Sequence, residues 1–237
     1  MSQVKLGVKN IPFIYQGNEL LYPNPVKDGL VLWYDFKGMK NSDASKNIAR
    51  DLSGKGNNGT LQNFNYTSES GYNNGLKYDK IDDNLETPLL ISNAFTISMT
   101  IDINISTGTQ FFFGGSLSAF YLRKNNDDLQ ASVFTTKQFT TNSGNGFFSN
   151  VSGKCQVILS VNDKEKAVKI YGNGKYISQR EIDDKITNFQ LTRVGTWNQS
   201  NLNPMDGKVL SILVYNRALT DQEIQNNYKL EKERWGL

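Results

Sequence analysis

Apolar and polar residues alternate along most of this chain with a period of two, the spacing of a β-strand with one face in a core. The clearest run is "FTISMTIDINI" (95–105), where Phe95, Ile97, Met99, Ile101, Ile103 and Ile105 fall on one face. It is expected to form a half-buried strand. "LVLWYDF" (30–36) opens the pattern, "FFFGGS", "AFYLRK" and "LQASVF" continue it in short pieces, and "VLSILVYN" (209–216) closes it. "CQVILSVND" and "AVKIYGNGKYIS" read as a meander, with Asn173-Gly174 supplying the positive φ angles of a tight hairpin turn. Short strands punctuated by Gly, Asn and Asp turns are the pattern of a sandwich or barrel.

The period changes at the C-terminal end. Thr220 and Glu223 form a T-x-x-E capping box, which starts a helix over 221–234 with an apolar stripe of Ile224, Tyr228 and Leu230. Residues 1–28 also stand apart. "VKLGVKNI" and "FIYQGNELLY" each set a glycine (Gly7, Gly17) in a polar turn between apolar residues, and Pro23 and Pro25 stiffen the connector that follows. Phe13, Tyr15, Leu20, Leu21 and Tyr22 give this arm the content of a segment that docks on something. The expected division is an anchoring arm, 1–28, and a main domain, 29–237.

"GLVLWYDF", "DLSGKGNNGTL" (51–61), "LKYDKIDDNLETP" (76–88), "FTISMTI", "VKIYGNGKYIS" and "DGKVLSILVYNRALTDQEIQNNY" (206–228) arrive in an order that resembles the laminin-G-like domains of the concanavalin A-like lectin superfamily. The resemblance covers about 29–230. It implies an all-β fold, a jelly roll of two antiparallel sheets with the first and last strands side by side. The closing helix then packs as a structural lid over an open end of the sandwich. Two departures stand out: Tyr78-Asp79-Lys80 sits where relatives often read F-D-G, and Lys154-Cys155 where many carry His-Trp.

Length and composition fit this picture, since 237 residues at 38% hydrophobic content suffice for one large β domain and a small appendage. The net charge of +3 is spread without a basic stripe, so no nucleic-acid partner is expected. The chain contains no histidine, which removes Ser-His-Asp and Cys-His catalysis and the usual catalytic zinc sites. Cys155 is the only cysteine and reads as a buried strand thiol. The first ten residues lack the apolar stretch of a Sec signal, and no segment approaches the ~18 apolar residues of a membrane span. The expectation is synthesis in the host cytoplasm with no membrane partner.

Hydrolysis of a glycosidic bond needs two carboxylates flanking it. "REIDDKI" (180–186) offers Glu181 and Asp183, but Lys185 and Ile186 follow where the partner glutamate is required, so the protein is expected not to be an enzyme. The Asn58-Gly-Thr60 and Asn65-Tyr-Thr67 sequons read as turn chemistry. Two binding chemistries stay open. Asp51, Asp206, Asn57 and Asp35 flank strand ends and could supply oxygens to a structural calcium of the kind related jelly rolls often hold, or simply make turns. Trp197 lies in a polar loop with Asn198, Gln199 and Asn201, an arrangement suited to stacking a sugar ring, or to packing over the sandwich edge; Phe147 follows a second polar loop. Trp33 is assigned to the core.

The arm looks like short leaders on tail and baseplate proteins of phages infecting Gram-positive bacteria. The reading is therefore a phage virion structural protein, oligomeric in the particle and held by other virion proteins through its arm. It would display a lectin-like domain toward host cell-wall glycan. The alternatives are a free carbohydrate-binding protein and an architectural capsid decoration that binds no sugar.

Overall fold

Alternation along the strands sorts side chains to two faces, and what covers each face decides which residues are buried. The computed structural model describes residues 5–7, 9–10, 14–16, 19–22, 25–91, 93–115, 120–134, 138–183, 189–197 and 202–237. The arm carries β1 (Lys5–Leu6), β2 (Lys9–Asn10), β3 (Ile14–Gln16) and β4 (Glu19–Tyr22). The main domain continues with β5 (Leu30–Asp35), β6 (Ile48–Ala49), β7 (Gly59–Gln62), β8 (Gly71–Tyr72), β9 (Leu76–Asp79), β10 (Asn84–Glu86) and β11 (Leu90–Ile91). Next come β12 (Phe95–Ile103), β13 (Gln110–Gly115), β14 (Tyr121–Asn125), β15 (Asp128–Phe134) and β16 (Gln138–Asn142). The last strands are β17 (Lys154–Asn162), β18 (Ala167–Gly172), β19 (Lys175–Glu181), β20 (Phe189–Val194) and β21 (Asp206–Tyr215), followed by helix α1 (Asp221–Trp235).

Among the described residues these strands make two large antiparallel sheets. One runs β19-β18-β17-β12-β21-β9-β8 with β5 also paired to β21; the other runs β16-β15-β14-β13-β20-β10-β7-β6 with β11 also paired to β20. Ile97, Met99 and Ile101 of the first sheet and Phe112, Phe113 and Leu122 of the second meet in a common core. This is the two-sheet jelly roll, and its first and last strands do lie together: Ser211 opposes Asp35 and Tyr215 opposes Leu30. The β18–β19 hairpin turns on Asn173 (φ 51°) and Gly174 (φ 73°). Lys80, in place of a turn glycine, still takes a left-handed φ of 66°.

Two expectations need correction. The β12 strand is buried on both faces, not half-buried, with Thr96, Ser98 and Thr100 at 0%, 3% and 1% exposure. The cause is α1, which lies on the outer face of its sheet instead of capping an open end. Ile224 packs there with Leu30, Trp33, Ile158, Tyr171, Leu213 and Tyr215. The capping box forms as expected: the Glu223 amide donates to Thr220 Oγ1 (3.3 Å) and the Thr220 amide to Glu223 Oε2 (2.9 Å). The buried stripe of α1 is Ile224, Asn227, Leu230, Glu231 and Trp235. Tyr228 is only half-buried, resting against Gly174.

The arm's β1–β2 and β3–β4 each form a separate two-stranded sheet. Residues 25–28 are fastened to the main domain: Pro25 is buried, the Val26 amide donates to Asn227 Oδ1 (3.0 Å), and Asp28 pairs with Arg217 (2.8 Å). No helix among the described residues is long and apolar enough to cross a membrane.

Candidate functional site

The outer face of the second sheet carries the side chains that α1 does not cover. In β13 a bulge between Phe111 and Phe113 lets both Phe112 and Phe113 enter the core while Phe111 points outward. In β14, Leu122 and Lys124 turn inward and Tyr121 and Arg123 outward. Phe111 opposes Arg123, and Arg123 opposes Gln130 of β15. Alternation thus sets an aromatic, a cation and an amide in one row across three strands.

Phe111 is nevertheless only 2% exposed, because the chain leaving β20 folds back over it. That chain is pinned at three points: the Gly195 amide donates to Phe112 O (2.8 Å), the Met205 amide to Gly195 O (2.7 Å), and the Phe111 amide to Asn203 O (3.0 Å). The Trp197 ring is laid flat on Phe111, 5.5 Å between centroids at 10°. Tyr121 meets Phe111 edge-on at 5.4 Å and 88°. The Arg123 guanidinium lies 5.1 Å from the Phe111 ring centre and 4.7 Å from that of Tyr121, within cation–π range. Its Nε donates to Gln130 Oε1 at 2.7 Å.

Between these groups is an open groove of about 340 Å³, completed by Gln138, Leu202 and Asn203. That is within the ~300–1,000 Å³ of small-molecule sites, and it combines apolar ring surface with a few polar groups. Gln138 is held by its Nε2 donating to Ser132 Oγ (3.0 Å). Among the described residues no carboxylate lines the groove.

Of the binding residues expected from sequence, Trp197 stands at this groove, half-buried and stacked, so it serves as packing and as groove wall at once. Asn198, Gln199 and Asn201 lie outside the described residues. Phe147 is elsewhere, in a 3-10 turn (Phe147–Asn150), with its ring against Gly172 and edge-on to Phe148 at 5.0 Å. Phe148 beside it is fully buried. Phe111, Tyr121, Arg123, Gln138 and Asn203 were missed. The readable signal was "YLRK": in a strand, Tyr121 and Arg123 must share the face opposite Leu122.

The residues considered for calcium do not assemble into one. Asp51 organises its own loop, accepting from the amides of Trp33 (3.0 Å), Ser53 (2.9 Å) and Asn57 (2.9 Å) and from Ser53 Oγ (2.9 Å). Asn57 is turned away, its Nδ2 donating to Val31 O. Asp35 faces Arg234 at 2.5 Å under α1, and Asp206 accepts from Thr107 Oγ1 (2.6 Å) and Asn104 Nδ2 (3.1 Å). Calcium takes six to eight oxygens, whereas these carboxylates already face N–H and O–H donors. The four therefore do not fit such a site. The carboxylates of Asp79, Asp82 and Asp83 do converge within 4.8 Å, and Asp83, desolvated by burial, has its pKa pushed up to about 7. Cys155 is buried, and burial raises its thiol pKa far above the usual range. Glu181 is exposed on β19, the edge strand of the other sheet.

Two antiparallel sheets, an outer-face helix and an aromatic groove on the opposite outer face define a lectin-type jelly-roll sandwich. Residues 77–225 match the family described as the concanavalin A-like lectin/glucanases superfamily, and the chain belongs to it. No curated protein matches the sequence. Among solved structures, the botulinum neurotoxin serotype D binding domain is similar at TM-score 0.61 and 16% identity, over 87% of this chain and 53% of that one. The binding domain of Paraclostridial Mosquitocidal Protein 1 is similar at 0.58 and 17%, over 89% and 55%. Trypanosoma rangeli sialidase in complex with sialic acid is similar at 0.59 and 16%, over 86% and 33%. The chain thus spans about half the length of the two binding domains and a third of the sialidase. At such identities the likeness is one of fold.

Proposed function

We propose that this protein binds glycan in the groove beside Trp197, as a non-catalytic lectin-like domain. The observation that carries the reading is the Trp197–Phe111–Tyr121 ring cluster, pinned by backbone bonds and bordered by Arg123, Gln138 and Asn203. Stacked rings fixed in place give a sugar an apolar face to lie on without an ordering cost, and side-chain amides and the guanidinium can reach its hydroxyls. Family membership and the binding-domain and sialidase neighbours agree with this. The test is binding of the full chain to a printed glycan array. Reproducible binding lost in Trp197→Ala supports the proposal; a blank array, or binding unaffected by that change, refutes it.

We further propose that the domain is displayed on a phage tail or baseplate, with the arm before Pro25 held by other virion proteins. The two arm hairpins, each a sheet of its own, support a segment built to pair elsewhere. Antibody against this chain should label tails in electron micrographs of phage particles; labelling absent from particles refutes the placement.

A further inference from the structure

We infer that the groove selects glycans bearing an anion, a carboxylate or a phosphate, and that Arg123 is the residue that binds it. This rests on the glycan-binding reading above and names the ligand class for that same site.

Three observations converge on Arg123. Its direction is fixed: Nε is tied to Gln130 Oε1, and the guanidinium is held between the rings of Phe111 and Tyr121. Its valence is open: among the described residues neither terminal amino group has an acceptor, although Arg123 lines a groove wide enough for a ligand. Its charge is uncompensated among the described residues, where aromatic, aliphatic and amide side chains and no Asp or Glu line the groove beside it.

Other arginines of this molecule make the contrast plain. Arg193, which opposes Gly114 on the neighbouring strand, pairs with Glu86 at 3.2 Å. Arg217 pairs with Glu223 at 2.7 Å and with Asp28, and Arg234 with Asp35. In each of those pairs the fork is spent inside the protein. Arg123 keeps its fork for an outside partner, and a planar fork with two parallel N–H donors matches a carboxylate or phosphate edge-on. A neutral sugar could use the rings but would leave that charge unmatched as the groove dries.

The rings and the cation also divide the work. Trp197, backed by the buried Phe111, offers ring surface to any pyranose, while Arg123 discriminates between an acidic sugar and its neutral parent. Charge-assisted bidentate bonds are roughly twice as strong as neutral ones, so the preference should be at least about tenfold.

The test uses the full chain on an array of matched glycans: carboxylated sugars, sugar phosphates and the neutral parent of each. The expected result is at least tenfold stronger binding to acidic members, weakening as salt rises. Arg123→Gln should bring acidic and neutral members to parity. Arg123→Lys, which keeps the charge and loses the fork, should retain more of the phosphate than of the carboxylate binding. The wild-type preference and its salt dependence stand independently of whether either variant folds, and a thermal melt of each variant reads that. Equal wild-type binding to acidic and neutral members overturns this inference and leaves glycan binding standing. Acidic preference intact in a folded Arg123→Gln overturns the assignment to Arg123. A blank array overturns the glycan reading itself, and this inference with it.

Discussion

The two outer faces of this sandwich start from the same alternation and end as opposite kinds of surface. On the β12 sheet the outward residues are Trp33, Thr96, Ser98, Thr100, Ile158 and Ser211, and α1 with its flanks buries them. Several of the polar groups there are bonded within the protein: Thr100 Oγ1 donates to Glu231 Oε2 at 2.7 Å, Ser211 Oγ donates to the same carboxylate, and Asp35 meets Arg234. On the β13–β16 side the outward Tyr121, Arg123 and Gln138 border an open groove, and the loop carrying Trp197 covers it only in part. A strand's outward residues become structure where an element closes over them and a site where it stops short. The comparison also explains why Arg234 is locked in a pair while the terminal amino groups of Arg123 have no acceptor among the described residues.

The sharpest way to break this comparison is at the buried pair. Replacing Arg234 with Met takes the ion-pair partner from the buried Asp35 side chain and leaves it, among the described residues, only the Lys37 amide, and breaking a buried pair costs about 3–5 kcal/mol. Denaturant melts should show that loss. Glycan binding by the fraction that remains folded should be unchanged, because the groove lies on the opposite face.

At the groove the expectation reverses. Trp197→Ala removes ring surface worth about 1.5–3 kcal/mol to a stacked ligand, so affinity should fall at least tenfold. Stability should drop less, by the order of the ~0.5–1.5 kcal/mol of the lost ring pair with Phe111. A melt paired with a binding titration separates the two; a collapse in stability would return Trp197 to the core.

Acid sensitivity should distinguish the faces too. Glu231 is fully buried, and desolvation raises its pKa above the ordinary carboxylate value, with the Asp35 charge adding to the effect and the Ser211 and Thr100 hydrogen bonds opposing it. A raised folded pKa means the folded state holds its proton longer than the unfolded chain. The Glu231 contribution is therefore fully present below an unfolded pKa of about 4.3 and is lost as pH climbs through the folded value. Glu231→Gln, which mimics the protonated form, should flatten that fall, as read by melting temperature against pH. A slope identical to wild type would exclude Glu231 as its source.

The smallest change expected is at the helix start. Thr220→Ala deletes one half of the capping box and should cost about 1 kcal/mol, with no effect on binding.

Much of the fold was readable because its signals are local. The capping box at Thr220, the Asn173-Gly174 hairpin and the strand β12 each arise from neighbours in sequence, and each element forms, although β12 is buried on both faces. What α1 covers was not readable, since Thr96, Ser98 and Thr100 look like solvent-facing positions until an element more than a hundred residues away closes over them. The site behaved similarly. Trp197 could be proposed from its polar loop, but its partner Phe111 sits inside an apolar run that reads as core, and only the bulge in β13 turns it outward. The residues named for a metal stay apart for a related reason: Asp51 and Asn57 are close in sequence, yet their donors and acceptors are used to shape the loop itself.

The central claim is that the groove is the ligand face and the helix-covered face is structure. Amide hydrogen exchange of the full chain, with and without the tightest-binding array glycan, tests it most directly. The account predicts added protection in β13, β14 and around Asn203, with the exchange of α1 unchanged. Protection confined to α1 and the strands beneath it would contradict the account.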